Sequence, residues 1–178
     1  MNEKQISSEP IYGGRVINLR IDKIAMEDGR VATREVIEHH GAVGIVPVMD
    51  DGRVLLVRQF RYAVGEELLE IPAGTLHPGE DPAACAAREL VEETNHRATR
   101  IEKILFTYLA PGYSNEGMHY YLATGLQPCE GQQDEDEHVE IEIVTMADAL
   151  GMIENGNIRD AKSVAGLLVA RERLEHRL

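Results

Sequence analysis

The chain has 178 residues, 43% of them hydrophobic, and a formal net charge of −13 at pH 7. These values are typical of one globular domain, or of one domain with an appendage, and argue against a disordered chain. The negative charge argues against non-specific nucleic-acid binding, so an anionic ligand would need local arginines or a metal ion. No apolar run approaches the ~18 residues of a membrane span, and no signal peptide is predicted. Two cysteines, Cys85 and Cys129, are too few for a disulfide framework, and we expect a cytoplasmic protein.

The first part of the chain predicts β-hairpins. After a polar leader, residues 14–26 and 30–40 alternate apolar and polar side chains around an Asp-Gly turn, which is typical of an antiparallel hairpin. A second hairpin is predicted over residues 41–61, with apolar runs typical of strands buried on both faces. A short strand over residues 67–74 follows and ends in a Pro/Gly loop.

The first helix is predicted to begin after Asp81, a good N-cap, with Pro82 in the first helical position. Asn95 is expected to end it in the left-handed conformation. Glu89, Glu92 and Glu93 in its last turns oppose the macrodipole and repel one another, at a summed cost of about 1–3 kcal/mol. A helical wheel puts Glu89 and Glu93, with Cys85 one turn earlier, opposite a predicted apolar face: Ala83, Ala84, Ala87, Leu90, Val91 and Thr94.

The second half predicts two strands, over residues 100–110 and 118–126, and an acidic loop over 129–138. A strand over 139–145, a helix from about Met146 to Glu154 and a last helix from about Ala161 complete the chain. This order predicts an α/β fold, a sheet covered by helices. We expect residues 1–40 to form an N-terminal β-hairpin appendage, a candidate dimerisation segment, and residues 41–178 to form the main domain.

The segment that begins at Gly74 resembles the Nudix box, G-x5-E-x7-R-E-U-x-E-E-x-G-U with U aliphatic. Every charged position matches at the correct spacing, whereas Asn95 replaces the second glycine and His96 the final aliphatic residue. Asparagine tolerates positive φ at a cost of about 1 kcal/mol. The matching residues are Gly74, Glu80, Arg88, Glu89, Glu92 and Glu93. The resemblance implies a Nudix α/β/α sandwich with a mixed sheet.

The same resemblance implies a Mg²⁺ site, with Mn²⁺ as the alternative ion. Glu89 and Glu93 are the implied principal ligands, Glu92 assists them, and the Ala73 carbonyl is a further ligand. Such glutamates, at i, i+3 and i+4, supply the hard oxygen atoms that these ions bind. Metal ions beside a diphosphate neutralise its charge and activate water, so the implied reaction is hydrolysis of a nucleoside diphosphate linked to another group. Glu93 therefore also counts as catalytic.

Two further motif residues, Glu80 and Arg88, are implied to form an ion pair that holds the loop to the helix. Gly74 is the glycine that opens the motif.

Outside the box, the chain resembles the ADP-ribose pyrophosphatase branch of this family. Pro111 lies fifteen residues after His96, as in that branch, and the loop over 110–117 looks like its Ser-Pro-Gly-aromatic loop, with Gly112 in place. The implied reaction converts ADP-ribose to AMP and ribose 5-phosphate. His77, in place of a glutamate common in the branch, keeps open an alternative, hydrolysis of UDP-, GDP- or ADP-hexoses. A non-catalytic domain that senses ADP-ribose or NAD is the alternative of another class, and the intact glutamates argue against it.

The substrate residues are also implied by the branch. Arg58 and Arg61 are candidate phosphate contacts through bidentate hydrogen bonds. Arg34 and Glu35 align with the segment that holds adenine, where a guanidinium could stack on the base. Glu116 is a candidate contact to the terminal ribose or the metal.

The same branch implies a general base outside the box, a glutamate of the late acidic loop that positions or deprotonates the water. The register favours Glu137, with Glu135 second, and either could instead be a solvated surface charge. The N-terminal hairpin resembles the swapped β-domain of the branch, which implies a domain-swapped homodimer.

Overall fold

The computed structural model describes residues 3–131 and 139–176. The chain divides into two compact units, one of Met1–Gly41 with Thr107–Gly117 and one of Ala42–Phe106 with Met118–Leu178. The strands are β1 Lys4–Gly13, β2 Ile17–Ala25, β3 Val31–His39, β4 Ala42–Val48, β5 Arg53–Arg61, β6 Glu66–Glu70, β7 Ala73–Thr75, β8 His96–Tyr108, β9 Gly117–Pro128 and β10 Glu140–Thr145. The helices are α1 Pro82–Thr94, α2 Met146–Glu154 and α3 Ala161–Glu175.

The first unit contains an antiparallel sheet with the order β1-β2-β3. Strands β2 and β3 form the predicted hairpin, and its turn closes where the Met26 N–H donates to the Arg30 carbonyl at 2.8 Å. The polar leader is not a loose segment but forms β1. Because every residue of β1 is exposed, its sequence lacks the alternation of apolar and polar side chains that reveals a half-buried strand.

A loop distant in sequence also belongs to the first unit. Ile37 of β3 forms a parallel bridge with Ser114, and the Ile37 N–H donates to the Tyr113 carbonyl at 2.8 Å. The Asn115 side chain accepts a hydrogen bond from the His39 N–H at 2.8 Å. The loop that carries Gly112 and Glu116 is therefore fixed to β3.

The second unit contains, within the described residues, a seven-stranded sheet with the order β10-β5-β4-β9-β8, in which β6 pairs with β5 and β7 with β4. Strands β4 and β9 are parallel, and the pairs of β5 with β10, β4 and β6 are antiparallel. The sheet is therefore mixed, as predicted. β4 is buried at every position, which agrees with its continuous apolar run.

Helices cover both faces of this sheet. Leu90 of α1 belongs to a core cluster with Val43 and Ile45 of β4. A Cβ added at Gly166 of α3 would lie 3.3 Å from the side chain of Val46, the alternate residue of β4. Since successive residues of a strand point to opposite faces, α1 and α3 lie on opposite faces of the sheet, which confirms the α/β/α sandwich. Within the described residues, no helix is both long and apolar enough to cross a bilayer.

Helix α1 has the predicted ends. Asp81 accepts hydrogen bonds from the N–H groups of Ala83 and Ala84, both at 3.0 Å, and Asn95 has φ 54° and ψ 33°. The predicted apolar face was partly wrong, because Ala83, Ala84 and Ala87 are exposed whereas Cys85, Ala86 and Glu93 are buried. Because an alanine side chain has little apolar area, burying it contributes little free energy, and an alanine-rich face does not determine which side of a helix packs.

Candidate functional site

The last turn of α1 lies against β7. The Ala73 N–H donates to Glu93 Oε2 at 3.0 Å, and Glu93 is only 3% exposed. β7 is itself fixed by antiparallel pairing with β4, where Ala73 faces Gly44. The strand end and the helix end therefore hold a buried carboxylate at a defined position.

Glu89, one turn earlier, packs directly on Gly74. A Cβ added at Gly74 would lie 1.9 Å from the carboxylate carbon of Glu89, far closer than van der Waals contact. Only glycine fits while the Glu89 carboxylate stays in this position. This close approach gives a physical reason for the glycine that opens the sequence motif.

Gly74→Ala is therefore expected to displace the Glu89 carboxylate without a large loss of stability. The atoms in the way are the end of a flexible side chain, and Gly74 does not have the positive φ that strains alanine. If Glu89 binds a divalent ion, the affinity for Mn²⁺ should fall about 10–100-fold, the range for residues that orient metal ligands. Mn²⁺ titration followed by EPR measures this, and thermal unfolding measures stability. Gly151→Ala, in open space on α2, is the control; equal Mn²⁺ affinity in both variants would contradict the expectation.

Arg88 joins the loop before α1 to the acidic face of the helix. Its Nε and Nη2 donate to the two carboxylate oxygens of Glu80 at 3.0 and 3.1 Å. Its Nη1 donates to Glu89 at 2.6 Å and to Glu92 at 2.8 Å. The Arg88 hydrogen bonds, followed by one from the His77 N–H, lower the pKa of Glu80 to about 2. One guanidinium therefore contacts three carboxylates, and the group keeps a net negative charge.

Cys85 lies beside this arginine, with its sulfur 3.3 Å from Arg88 Nη2. Burial raises the pKa of the thiol to about 12. The side chain is therefore a neutral packing group and not a thiolate.

The acidic residues are not grouped as a ready metal site. Among residues 3–131 and 139–176, no three His, Cys, Asp or Glu side chains are arranged to hold a metal ion. Arg88 holds Glu89 and Glu92, while Glu93 bonds to the backbone of β7. The donor set nevertheless fits a hard divalent ion, because these carboxylates extend from one helix end and two of them contact the Ala73–Gly74 backbone. An ion would compete with Arg88 for Glu89 and Glu92.

A second charged cluster lies where β5, β6 and the N-terminal turn of α3 meet; it consists of Arg61, Glu70, Asp160 and Lys162, and we call it the Glu70 cluster. Glu70 is 2% exposed and accepts from Arg61 Nη2 at 2.6 Å and from Lys162 Nζ at 2.7 Å. Burial acts to raise the pKa of Glu70, but the hydrogen bonds from Arg61 and Lys162 outweigh it and leave that pKa below its ordinary value. Burial acts to lower the pKa of Arg61, but Glu70, with smaller contributions from Glu93 and Asp160, raises it.

Sequence reasoning found Arg61 but missed Glu70 and Lys162. A usable signal was present, because Glu70 is a charged residue directly between two apolar ones, Leu69 and Ile71, in a strand that ends in the buried core. Charged residues are almost never fully buried unless they are paired.

The structure does not bring Arg58 and Arg61 together. Arg58 Nη2 donates to Glu142 of β10 at 2.8 Å and lines an open cavity of about 370 Å³ with Glu67 and Arg159. Residues three apart in a strand point to opposite faces, which separates Arg58 from the Glu70 cluster.

The other predicted substrate residues lie in the first unit. Arg34 is on β3, where its guanidinium binds the Glu3 carboxylate, and Glu35 beside it is exposed. Gly112 is exposed in the loop after β8, and the Glu116 N–H donates to Ser114 Oγ at 3.1 Å. The two predicted bases, Glu135 and Glu137, lie outside the described residues.

The motif departures at Asn95 and His96 have structural partners. Asn95 Oδ1 accepts from the Gly131 N–H at 3.0 Å, and the Asn95 carbonyl accepts from the Cys129 N–H at 2.9 Å. A Cβ at Gly131 would lie 2.4 Å from the Val91 carbonyl oxygen, so the segment after β9 passes close over the end of α1. His96 Nδ1 lies 2.7 Å from the Thr94 carbonyl oxygen, which satisfies its polar ring.

Comparison with known proteins agrees with this geometry. The family described as NUDIX domain matches residues 38–167. The ADP-ribose pyrophosphatase of Bacillus subtilis (strain 168) is 40% identical over 165 residues, which cover 92% of this chain and 89% of that protein. The methanol dehydrogenase activator of Bacillus methanolicus is 36% identical over 179 residues, 98% of this chain and 97% of that protein. A crystal structure of an ADP compounds hydrolase shares the fold, with a TM-score of 0.89 at 24% identity over 99% of this chain and 96% of that one.

Proposed function

The chain belongs to the Nudix family and is a Nudix pyrophosphohydrolase, and from this premise we propose that it hydrolyses ADP-ribose to AMP and ribose 5-phosphate. The observation that carries the proposal is the acidic end of α1 seated on the Ala73–Gly74 backbone, with Glu89 and Glu93 both in contact with it. The likeness to an ADP-ribose pyrophosphatase over most of both chains supports the choice of substrate.

We propose that Mg²⁺, or Mn²⁺ in its place, is the cofactor. Glu89 and Glu93 would hold the ion, with help from Glu92 and the Ala73 carbonyl. The ion supplies positive charge that neutralises a diphosphate and acidifies water. Arg88 donates two hydrogen bonds to Glu80, so it would keep this partner when an ion displaces it from Glu89 and Glu92.

The protein's own groups act on the substrate as follows. Arg61 binds the diphosphate through charge-assisted hydrogen bonds, and its side chain is 38% exposed and able to reach a ligand. Glu137, with Glu135 as the alternative, accepts the proton of the attacking water as general base. Arg34 and Glu35 hold the adenine.

Contacts to the remaining groups are assigned to residues outside the motif. Glu116 is proposed to contact the terminal ribose or the metal, with Gly112 in the same loop. The sequence-based assignment of Arg58 to the diphosphate is not kept, because Arg58 is paired with Glu142 on the face of β5 opposite Arg61. In this mechanism the diphosphate is held by arginine on an otherwise acidic protein of net charge −13.

Product analysis on a panel of ADP-ribose, NAD, GDP-mannose and UDP-glucose with Mg²⁺ or Mn²⁺ tests the proposal. We expect AMP and ribose 5-phosphate from ADP-ribose at the highest kcat/KM. Equal or faster cleavage of GDP-mannose or UDP-glucose would instead assign a nucleoside diphosphate hexose hydrolase. Binding of ADP-ribose without cleavage of any member would assign a sensor. Glu93→Gln in the same panel shows whether the cleavage comes from this site.

We further propose that the N-terminal sheet forms a domain-swapped homodimer. In the first unit, apolar side chains on and next to β1 are exposed, among them Ile6 at 55% and Tyr12 at 58%. Exposed apolar patches on a sheet are typical of protein–protein interaction sites. Light scattering after size-exclusion chromatography gives the mass, and a monomer at micromolar concentration would reject the dimer.

A further inference from the structure

The Glu70 cluster suggests a role for a glutamate that lies outside the Nudix motif. Resting on the proposed function, we propose that Glu70 is a positioning residue, which fixes the guanidinium of Arg61 in the orientation that binds the diphosphate. Glu70 itself does not touch the substrate, because it is 2% exposed, whereas the Arg61 side chain is 38% exposed.

The hydrogen bonds define the orientation of Arg61. Its Nε lies 3.2 and 3.1 Å from the two oxygens of Glu70, and its Nη2 lies 2.6 Å from Oε2. A planar guanidinium held by two of its nitrogens has little freedom to rotate. An arginine fixed in this way loses less conformational entropy when it binds a ligand, which is the advantage of preorganisation.

Lys162 and Asp160 stabilise the buried Glu70 carboxylate by completing the pairing of charges in the cluster. Lys162 Nζ bridges Glu70 and Asp160, at 2.7 and 2.9 Å, so the cluster has two positive and two negative groups. A buried carboxylate is stable only when its charge is paired and hydrogen-bonded. Lys162 therefore stabilises Glu70. Of the two acidic residues in the cluster, Glu70 is the one that is hydrogen-bonded to Arg61.

The junction also has a neutral contact that serves as a control. Ser163, next to Lys162, is fully buried, and its Oγ accepts from the Ile71 N–H at 2.8 Å. This bond ties α3 to the residue after Glu70 but involves none of the charged groups. Ser163→Ala therefore weakens the same junction and leaves Arg61 with its carboxylate partner.

Positioning and simple electrostatics predict opposite effects on the KM for ADP-ribose. Glu70→Gln removes a negative charge near an anionic substrate, so Coulomb attraction alone would lower the KM. If Glu70 positions Arg61, the KM rises about tenfold or more and kcat changes by less than about threefold, as expected for a contact made equally in the ground and transition states. Lys162→Met removes a positive charge but leaves the hydrogen bonds between Glu70 and Arg61, so positioning predicts a smaller rise of the KM than in Glu70→Gln, and a larger rise would overturn it.

The decisive experiment compares the wild type, Glu70→Gln, Lys162→Met and Ser163→Ala by steady-state kinetics with ADP-ribose and Mg²⁺. A Glu70→Gln protein that is folded and has an unchanged or lower KM would overturn the proposal. So would a rise of KM in Ser163→Ala equal to that in Glu70→Gln, because the effect would then be loss of the junction.

An NMR measurement without substrate separates this inference from the proposed function. The Arg61 Nε–H signal of the wild type should exchange with water slowly, and in Glu70→Gln it should exchange at least about tenfold faster. Rapid exchange in the wild type would overturn the positioning role even if Glu70→Gln fails to fold. If the wild type cleaves no nucleotide sugar but protects this proton, the proposed function is wrong and Glu70 still orients Arg61.

Discussion

Glu93→Gln is expected to lower kcat/KM for ADP-ribose at least about a hundredfold in a protein that stays folded. Glutamine has the same shape and keeps an oxygen that accepts the hydrogen bond of Ala73, but it lacks the charge that a divalent ion binds. Loss of a residue that only orients a ligand costs about 10–100-fold, so the loss of a ligand itself should cost no less. Steady-state kinetics over a range of Mg²⁺ concentrations measures the effect.

The control for this change is Glu154→Gln, an exposed carboxylate at the end of α2. It should retain wild-type kinetics. Mn²⁺ titration by EPR gives a readout without turnover, and Glu93→Gln should bind the ion more weakly. Activity of Glu93→Gln within about threefold of the wild type would remove Glu93 from the metal site.

Arg88→Met should have the largest effect on stability, and that effect should depend on metal. Removing one partner of a buried ion pair costs about 3–5 kcal/mol, and partial exposure here reduces the expectation to about 2 kcal/mol. The variant leaves three carboxylates without their shared cation, so a divalent ion should bind them with less competition. Mg²⁺ should therefore raise the melting temperature of Arg88→Met more than that of the wild type.

The stability difference between the wild type and Arg88→Met should depend on pH because of Glu80. Its pKa in the folded protein, about 2, lies below its ordinary value of 4.5. A lowered pKa adds stability that is fully present above the ordinary pKa and is lost as pH falls through the folded one. The difference in unfolding free energy between wild type and Arg88→Met should thus shrink between pH 4.5 and about 2.

A double-mutant cycle with Glu80→Gln checks the assignment to this pair. If the two changes add without a coupling energy, the Arg88–Glu80 contact does not stabilise the protein. Equal effects of Mg²⁺ on the melting temperatures of Arg88→Met and the wild type would contradict the competition between Arg88 and the ion.

Local signals in the sequence predicted the ends of the helices well. Asp81 and Pro82 begin α1, Asn95 ends it in the left-handed region, and α2 spans Met146–Glu154 as predicted. These features depend on the conformational preferences of a few adjacent residues, and such local preferences can be read directly from the sequence. The burial of β4 on both faces was predicted for a related reason, from its continuous apolar run, whereas the mixed sheet was implied by the resemblance to the Nudix family.

Features that depend on distant residues could not be predicted. The face of α1 that packs depends on where β7 places the Ala73 N–H, and helical periodicity contains no information about β7. The attachment of the loop around Ser114 to Ile37 joins segments more than seventy residues apart. The partner of Arg61 is Glu70 on the next strand. This pairing follows from the register between β5 and β6 and not from a sequence motif.

The contact between Asn95 and Gly131 has a consequence for protein engineering. A consensus approach would replace Asn95 with the glycine of the motif, on the view that a left-handed cap favours it. That change would improve the backbone conformation and at the same time remove the acceptor of the Gly131 N–H. Glycine at 131 permits the close approach of the two segments, and asparagine at 95 accepts the hydrogen bond that holds them together. A mutant library that varies one of these positions should therefore vary both.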